Sequence, residues 1–430
     1  MSAWPGSGYI MDSNSTERFG RNFFSLLWQS SAFYTAAYIA QVSLTWYIFT
    51  ITGSAVAVGI VAIVESVAVL IVSLPVGAII DRKNKGFLLF ISGFLGFIAM
   101  GALGGIAYYR LFNIYFILGL SALWGISREV SRSSSLSSLP DMVSRVLQSR
   151  ANGVFRAVNS TLGSVANALA GGIIVLFGVV ASFSISTVAY LVSAVISLLV
   201  LFPFYRSKAN GTPKSQAREG NMLGELKEGF VWLTSRKGFF LLTLSATFFN
   251  FFMTMTFTYF VIYVARGLGA NSLVYGSMLA ALAAGDVIGS LIPGRIDLLR
   301  HTGRVNILLF GGLDGLCLLL MGLFPSPYLA LALAFVAGLS IGVSVNLWLT
   351  AAHNLVPAEM RGRYFALDGV LTSLSPASIA VGALLIADFG VLWDFMVSGF
   401  MMLIFTVVFG LMRSFWNLDG RPKPEVTELS

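Results

Sequence analysis

The chain has 430 residues, of which 57% are hydrophobic and 11% charged, and its mean hydropathy is +0.83. Soluble domains carry roughly 25% charged residues, so this composition excludes a water-soluble globular fold and makes the lipid bilayer the chain's solvent. The net charge of +8 gathers at the ends of apolar segments, which marks membrane orientation and excludes a nucleic-acid partner.

Residues 1–21 are polar, lack the apolar stretch of a signal peptide, and are expected to form a cytoplasmic tail. Apolar segments then predict spans at 22–50, 54–80, 87–109, 112–137, 151–178 and 182–204. A hydrophilic loop follows at 205–238. Six more spans are predicted at 239–265, 273–296, 305–324, 328–352, 364–388 and 392–413, before a C-terminal tail at 414–430 whose stretch from Asn417 onward is expected to be disordered. A bilayer core ~30 Å thick needs about 20 residues per spanning helix, and lipid leaves backbone groups no partner outside a helix or closed barrel. The short alternating segments of a barrel are missing. The expected fold is therefore an all-α polytopic membrane protein with twelve transmembrane helices.

Of the 27 Lys and Arg residues, 22 fall on the side of the two termini, two (Arg110 and Arg266) on the other, and three (Arg128, Arg132 and Arg156) within or near the membrane. By the positive-inside rule both termini are expected in the cytoplasm of a multi-pass plasma-membrane protein. The loop at 205–238 separates halves that echo each other. Gly119-Leu120-Ser121 with Leu139-Pro140-Asp141 is matched by Gly338-Leu339-Ser340 with Val356-Pro357-Ala358-Glu359. Arg150 with Gly171 is matched by Arg361 with Gly382 at a common offset. Two pseudo-symmetric six-helix bundles, 22–204 and 239–413, are expected, with a substrate site where they meet.

Gly77-Ala78-Ile79-Ile80-Asp81-Arg82 closes the second span. It resembles the Gly-x-x-x-Asp-Arg signature of the major facilitator superfamily, and the paired halves extend that resemblance over nearly the whole chain. The resemblance implies a cytoplasmic gate motif at Gly77, Asp81 and Arg82. Leu139-Pro140-Asp141 with Ala151-Asn152, and Val356-Pro357-x-Glu359-x-Arg361-Gly362-Arg363, are similar to prokaryotic macrolide-efflux and siderophore-export members. Gly163-x-x-x-Asn167-Ala168-x-x-Gly171-Gly172 resembles the family's antiporter motif but lacks its central Gly-Pro.

Ionisable residues inside spans are costly and point to function or to a partner. Glu65 and Asp286 occupy comparable depths in corresponding helices and are the proton-coupling candidates. Asp314 is expected only to pin helices together, and Asp368, near the start of span eleven, to be an interfacial or packing residue. Arg128, Glu129, Arg132 and Arg156 form either a gate network or an anion site, the guanidinium fork suiting carboxylate and phosphate groups. Tyr34, Tyr38, Gln41, Asn250, Met253 and Phe257 are the substrate-cavity candidates, since the resemblance places spans one and seven around a central cavity.

His301, His353 and Cys317 are isolated, so no metal site, no cofactor and no enzymatic nucleophile set is expected. No phosphate-binding Gly-x-x-x-x-Gly-Lys-Ser/Thr loop occurs. The expected function is proton-coupled efflux of a hydrophobic or amphiphilic small molecule by a monomeric secondary transporter. The alternatives are an organic-anion transporter or exchanger using Arg128 and Arg132, and a non-transporting membrane receptor.

Overall fold

Polar caps and glycines divide this apolar chain into helices. The computed structural model describes residues 19–144, 147–209, 222–293, 296–357, 360, 364, 367–368 and 374–421. Helix α1 (Arg21–Thr52) ends at Gly53, and Ser54 caps α2 (Ala55–Arg82) by accepting the Ala57 amide. Asn84 and Asn113 cap α3 (Lys85–Tyr109) and α4 (Ile114–Met142) in the same way. Such side chains satisfy amides that have no partner in the first helical turn.

The helical stretch Arg150–Arg206 has 57 residues, roughly 85 Å at ~1.5 Å per residue, far more than one bilayer crossing. Gly178, at φ 82 and ψ 168, breaks α5 (Gln148–Ile196) within this stretch. Only glycine adopts that backbone region without strain, so it separates the fifth and sixth passes. A π-turn at Ser197–Leu201 leads into α6 (Phe202–Ala209). The expected loop at 205–238 contains a helix, α7 (Met222–Thr234).

In the second half, α8 (Lys237–Thr258) breaks at Tyr259, short of the expected end of span seven, and the chain continues through Phe260–Ile262 and a π-turn at Tyr263–Gly267. Helix α9 (Ser272–Ser290) is capped by Asn271. The ninth pass reaches α10 (Asp314–Leu323) through a π-turn at Ile307–Leu313, and α11 (Pro327–Leu355) follows. Of the expected span 364–388, the described helix is α12 (Ser375–Phe389), and Gly390 joins it to α13 (Val391–Gly410). No strand occurs among the described residues.

Eight helical stretches among the described residues are long and apolar enough to cross a membrane. Their outer faces carry exposed side chains such as Leu199 (69%) and Leu384 (65%), the surface expected against lipid. Helices α1 and α4 fall outside those eight despite their 32 and 29 residues. They carry amide, hydroxyl and charged side chains along their length, and both contribute to the site described below.

Within the first half, α1 and α3 pack on α5, and α2 packs on α4. Within the second, α9 packs on α11 and α10 on α13. The halves meet along two seams, α5 against α9 and α2 against α12. One sequence expectation is corrected at the C-terminus. Residues from Asn417 to Arg421 are docked, because Phe415 is fully buried and Gly420 donates its amide to the Leu299 carbonyl at 2.8 Å. Arg304 stacks over Trp416 at 5.2 Å and donates to its carbonyl. At the end of this segment, hydrogen bonds from Arg421 hold the Asp419 carboxyl below its usual pKa.

Candidate functional site

Glu65 owes its place to a glycine on the neighbouring helix. A Cβ at Gly125 of α4 would lie 2.9 Å from the Glu65 carbonyl oxygen and 3.1 Å from its Cγ. The missing side chain lets α2 approach α4 at this level. Three residues further along α4, nearly one turn, the Arg128 Nη1 donates to Glu65 Oε1, forming an ion pair across the two helices. The same nitrogen donates to Gln41 Oε1 of α1 at 3.2 Å.

The guanidinium is also held from behind. Its Cζ lies 4.8 Å from the centre of the Trp124 ring, a cation–π contact. Trp124 is fully buried and donates its indole N–H to the Tyr190 hydroxyl of α5 at 2.7 Å. Tyr190 in turn stands edge-on to Phe33 of α1, with ring centres 5.1 Å apart. Four helices thus converge on one ion pair. The Glu65 side chain is 13% exposed and that of Arg128 40% exposed, so the pair sits at the edge of an opening rather than in sealed core.

That opening is a cavity of about 300 Å³. Gln41, Thr45 and Glu65 line it from the first half, and Thr254, Phe257 and Tyr275 from the second. Most of its other lining is aliphatic, including Leu44, Ile48 and Val58. A mostly apolar pocket of this size with few convergent polar groups suits a small organic solute.

The other sequence candidates are placed as follows. Arg132 does not share the partner of Arg128. It forms a bidentate pair with Glu129 of its own helix at 2.9 and 3.0 Å, and Ser133 donates to the same carboxylate at 2.7 Å. Arg132 is 59% exposed. Asp286 is half-buried and Arg156 exposed. They interact electrostatically across the α5–α9 seam without a hydrogen bond or ion pair among the described contacts. Tyr38 lies within the electrostatic reach of both Arg128 and Asp286, and its ring packs on Gly163. Tyr34 stands edge-on to Phe33 at 6.0 Å.

Of the cavity candidates, Gln41 and Phe257 line the opening. Met253 packs in the core at 4% exposure, and Asn250 donates to the Ala246 carbonyl of its own helix at 2.9 Å. Gly77, Asp81 and Arg82 belong to the last turns of α2, but their side chains lie outside the described residues. Asp314 is fully buried, and Asp368 is half-buried.

Sequence reasoning passed over three features. Asp394 is fully buried with no hydrogen bond to either carboxyl oxygen among the described residues. It stands in the first turn of α13. Lys85, counted only for topology, donates to Asp141 Oδ2 and to the Ser137 carbonyl, both at 2.7 Å, beneath the Tyr205 hydroxyl. The Trp124–Tyr190 support of Arg128 joins residues 66 positions apart, and no local pattern announces it.

A helical membrane protein whose two halves enclose a solute-sized cavity with an ion-paired carboxylate in its wall has the architecture of a transporter. The sequence model of the Major Facilitator Superfamily matches residues 26–380 and 243–428, and the chain belongs to that family. A staphyloferrin A transporter of Staphylococcus aureus (strain NCTC 8325 / PS 47) is 26% identical over 166 residues, 38% of this chain and 42% of that protein. An uncharacterized MFS-type transporter of Bacillus subtilis (strain 168), YfkF, is 32% identical over 114 residues, 26% of this chain and 28% of that protein. The chain therefore spans less than half the length of either curated relative in these matches.

Solved structures share the fold at low identity. A bacterial homologue of the iron transporter ferroportin, in an inward-facing state, aligns with a TM-score of 0.69 at 13% identity, covering 91% of this chain and 99% of that one. A bacterial homologue of the human lysosomal transporter Spinster aligns at 0.67 and 14% identity, covering 94% and 99%.

Proposed function

We propose that this transporter exports a hydrophobic or amphiphilic small molecule in exchange for protons, with Glu65 as the group for which proton and cargo compete. Glu65, which lines the cavity and is held by Arg128 from beside it, carries this reading. A proton on Glu65 removes the charge that holds Arg128, and the freed guanidinium changes the polarity of the wall that meets the cargo. Cargo binding to the deprotonated site then opposes protonation, which is the linkage an exchanger needs. The staphyloferrin A transporter, named for a small-molecule siderophore cargo, is in keeping with a substrate of this size.

In this reading both termini are cytoplasmic, the chain works as a monomer in the plasma membrane, and bundles 22–204 and 239–413 rock about the cavity. Asp286 is the second protonation candidate, since it faces Arg156 without pairing to it. The deciding measurement is flux in proteoliposomes under an imposed pH gradient. Glu65→Gln is expected to abolish gradient-driven transport while leaving passive exchange, and Asp286→Asn to weaken it. Full gradient-driven flux in both variants would overturn the proposal.

A second reading, transport of an organic anion, is favoured by one observation: Arg132 and Arg156 are both exposed despite lying within or near the membrane segment. It requires that Arg132→Leu lose anion flux selectively while uptake of neutral amphiphiles persists.

A further inference from the structure

Arg266 is one of two cationic residues on the side of the membrane away from the termini in the sequence-derived topology, and the cavity does not use it. It stands at the end of the broken seventh pass, in the π-turn Tyr263–Gly267. Its guanidinium reaches across to the other half, where Nη2 donates to the carbonyl oxygen of Gly53. Its Cζ also lies 5.4 Å from the centre of the Phe49 ring. Gly53, at φ 61, ends α1. The last carbonyls of a helix form its negative pole, so a cation placed there is attracted by the whole helix end as well as by one oxygen.

A second contact from the same pass points the same way. Tyr259, at the break after α8, is fully buried and donates its hydroxyl to the Ile379 carbonyl of α12 at 2.6 Å. That hydroxyl lies against Gly59 of α2, 2.4 Å from where a Cβ would stand. Tyr259 and Arg266 are seven residues apart, about two helical turns, and both touch the first half at its α1–α2 end. The same end holds the close passage of α5 and α9, where the Ser272 hydroxyl donates to the Gly171 carbonyl at 3.1 Å.

We propose that Arg266 is the latch that keeps the halves closed at the α1–α2 end, with Tyr259 as the buried pivot beneath it. Release of the guanidinium from Gly53 and Phe49 is then the step that opens the cavity to that side. This inference rests on the alternating-access reading above, but not on proton coupling or on the identity of the cargo. Among the described residues the partners of the guanidinium are a backbone carbonyl and a neutral ring, not a carboxylate.

The test uses the full chain in nanodiscs with Cys317→Ala as background and spin labels at Thr50→Cys and Asn271→Cys, one on each side of the latch. Distances between the labels are read by pulsed electron–electron double resonance. With Arg266 present, one short population is expected to dominate. Arg266→Gln is expected to raise the ratio of long to short distances on the order of tenfold, the effect of losing one charge-assisted contact. Arg266→Lys, which keeps the charge but loses the planar stacking, is expected to fall between. An unchanged distribution in Arg266→Gln, or a dominant long population with Arg266 intact, would overturn the latch. Should Arg266→Gln fail to give monodisperse protein, Phe49→Leu is read in its place, and an unchanged distribution there overturns it equally. Flux under a pH gradient is recorded on the same variants. If proton coupling is the reading that fails, flux loses its gradient dependence while the distances still shift.

Discussion

The carboxylate of Glu65 on α2 meets the guanidinium of Arg128 on α4, with Gln41 of α1 sharing the same nitrogen. The two partners are unequally placed. Glu65 is 13% exposed at its side chain, whereas Arg128 is 40% exposed. Removing Arg128 therefore strands a buried charge, while removing the charge of Glu65 leaves a cation that water can reach. Arg128→Leu is expected to cost about 3 kcal/mol of stability and Glu65→Gln only about 1 kcal/mol. Thermal unfolding in detergent should show the larger loss of Tm for Arg128→Leu, with the double variant recovering part of it. Equal losses from the two single changes would contradict this placement.

Gly125 admits α2 to that contact. Val at this position would press two γ-carbons against the Glu65 backbone, which a Cβ alone already meets at 2.9 Å. Gly125→Val is expected to destabilise the protein by about 1–3 kcal/mol and to abolish transport. Gly119 of the same helix has nothing within 4 Å of a Cβ, so Gly119→Ala should be silent in both assays.

Trp124 and Tyr190 support Arg128 through one buried hydrogen bond of 2.7 Å. Trp124→Phe leaves the Tyr190 hydroxyl without its donor, and Tyr190→Phe leaves the indole N–H without an acceptor. Each is expected to cost about 1–3 kcal/mol. The double variant should cost clearly less than the sum, giving a coupling energy of about 1 kcal/mol in a double-mutant cycle. Strict additivity would mean that the bond contributes nothing.

Gly178 reverses the chain between the fifth and sixth passes at φ 82, ψ 168. A Cβ there meets no neighbouring atom, so backbone strain alone sets the effect of a substitution. Gly178→Ala is expected to lower stability by about 1–3 kcal/mol, visible as a lower Tm. An alanine variant as stable as the parent would place the reversal elsewhere.

Much of the architecture is legible in the residues because the bilayer imposes a one-dimensional rule. Apolar runs of sufficient length must become helices, and Asn84, Asn113 and Asn271 cap them where the chain turns back. The breaks within passes are less legible. The interruption at Tyr259 and the π-turn at Ile307–Leu313 lie inside expected spans and not at their ends. Hydropathy does not register a change of hydrogen-bond register there. The docked segment after Phe415 was likewise hidden, since its partners Leu299 and Arg304 lie more than a hundred residues away.

By itself the sequence determined that this protein lives in lipid and which ionisable residues fall inside its apolar segments. These follow from solvation, which acts on each segment separately. Only the tertiary structure decided which charges meet. Arg128 and Arg132 lie one turn apart on α4, and the local spacing offers Glu129 to Arg132 but names no partner for Arg128. Yet Arg128 finds Glu65 across the gap that Gly125 leaves, while Arg132 turns to Glu129 on its own helix. That choice depends on how closely two helices approach at one level of the bilayer, a closeness that Gly125 permits and no single segment encodes.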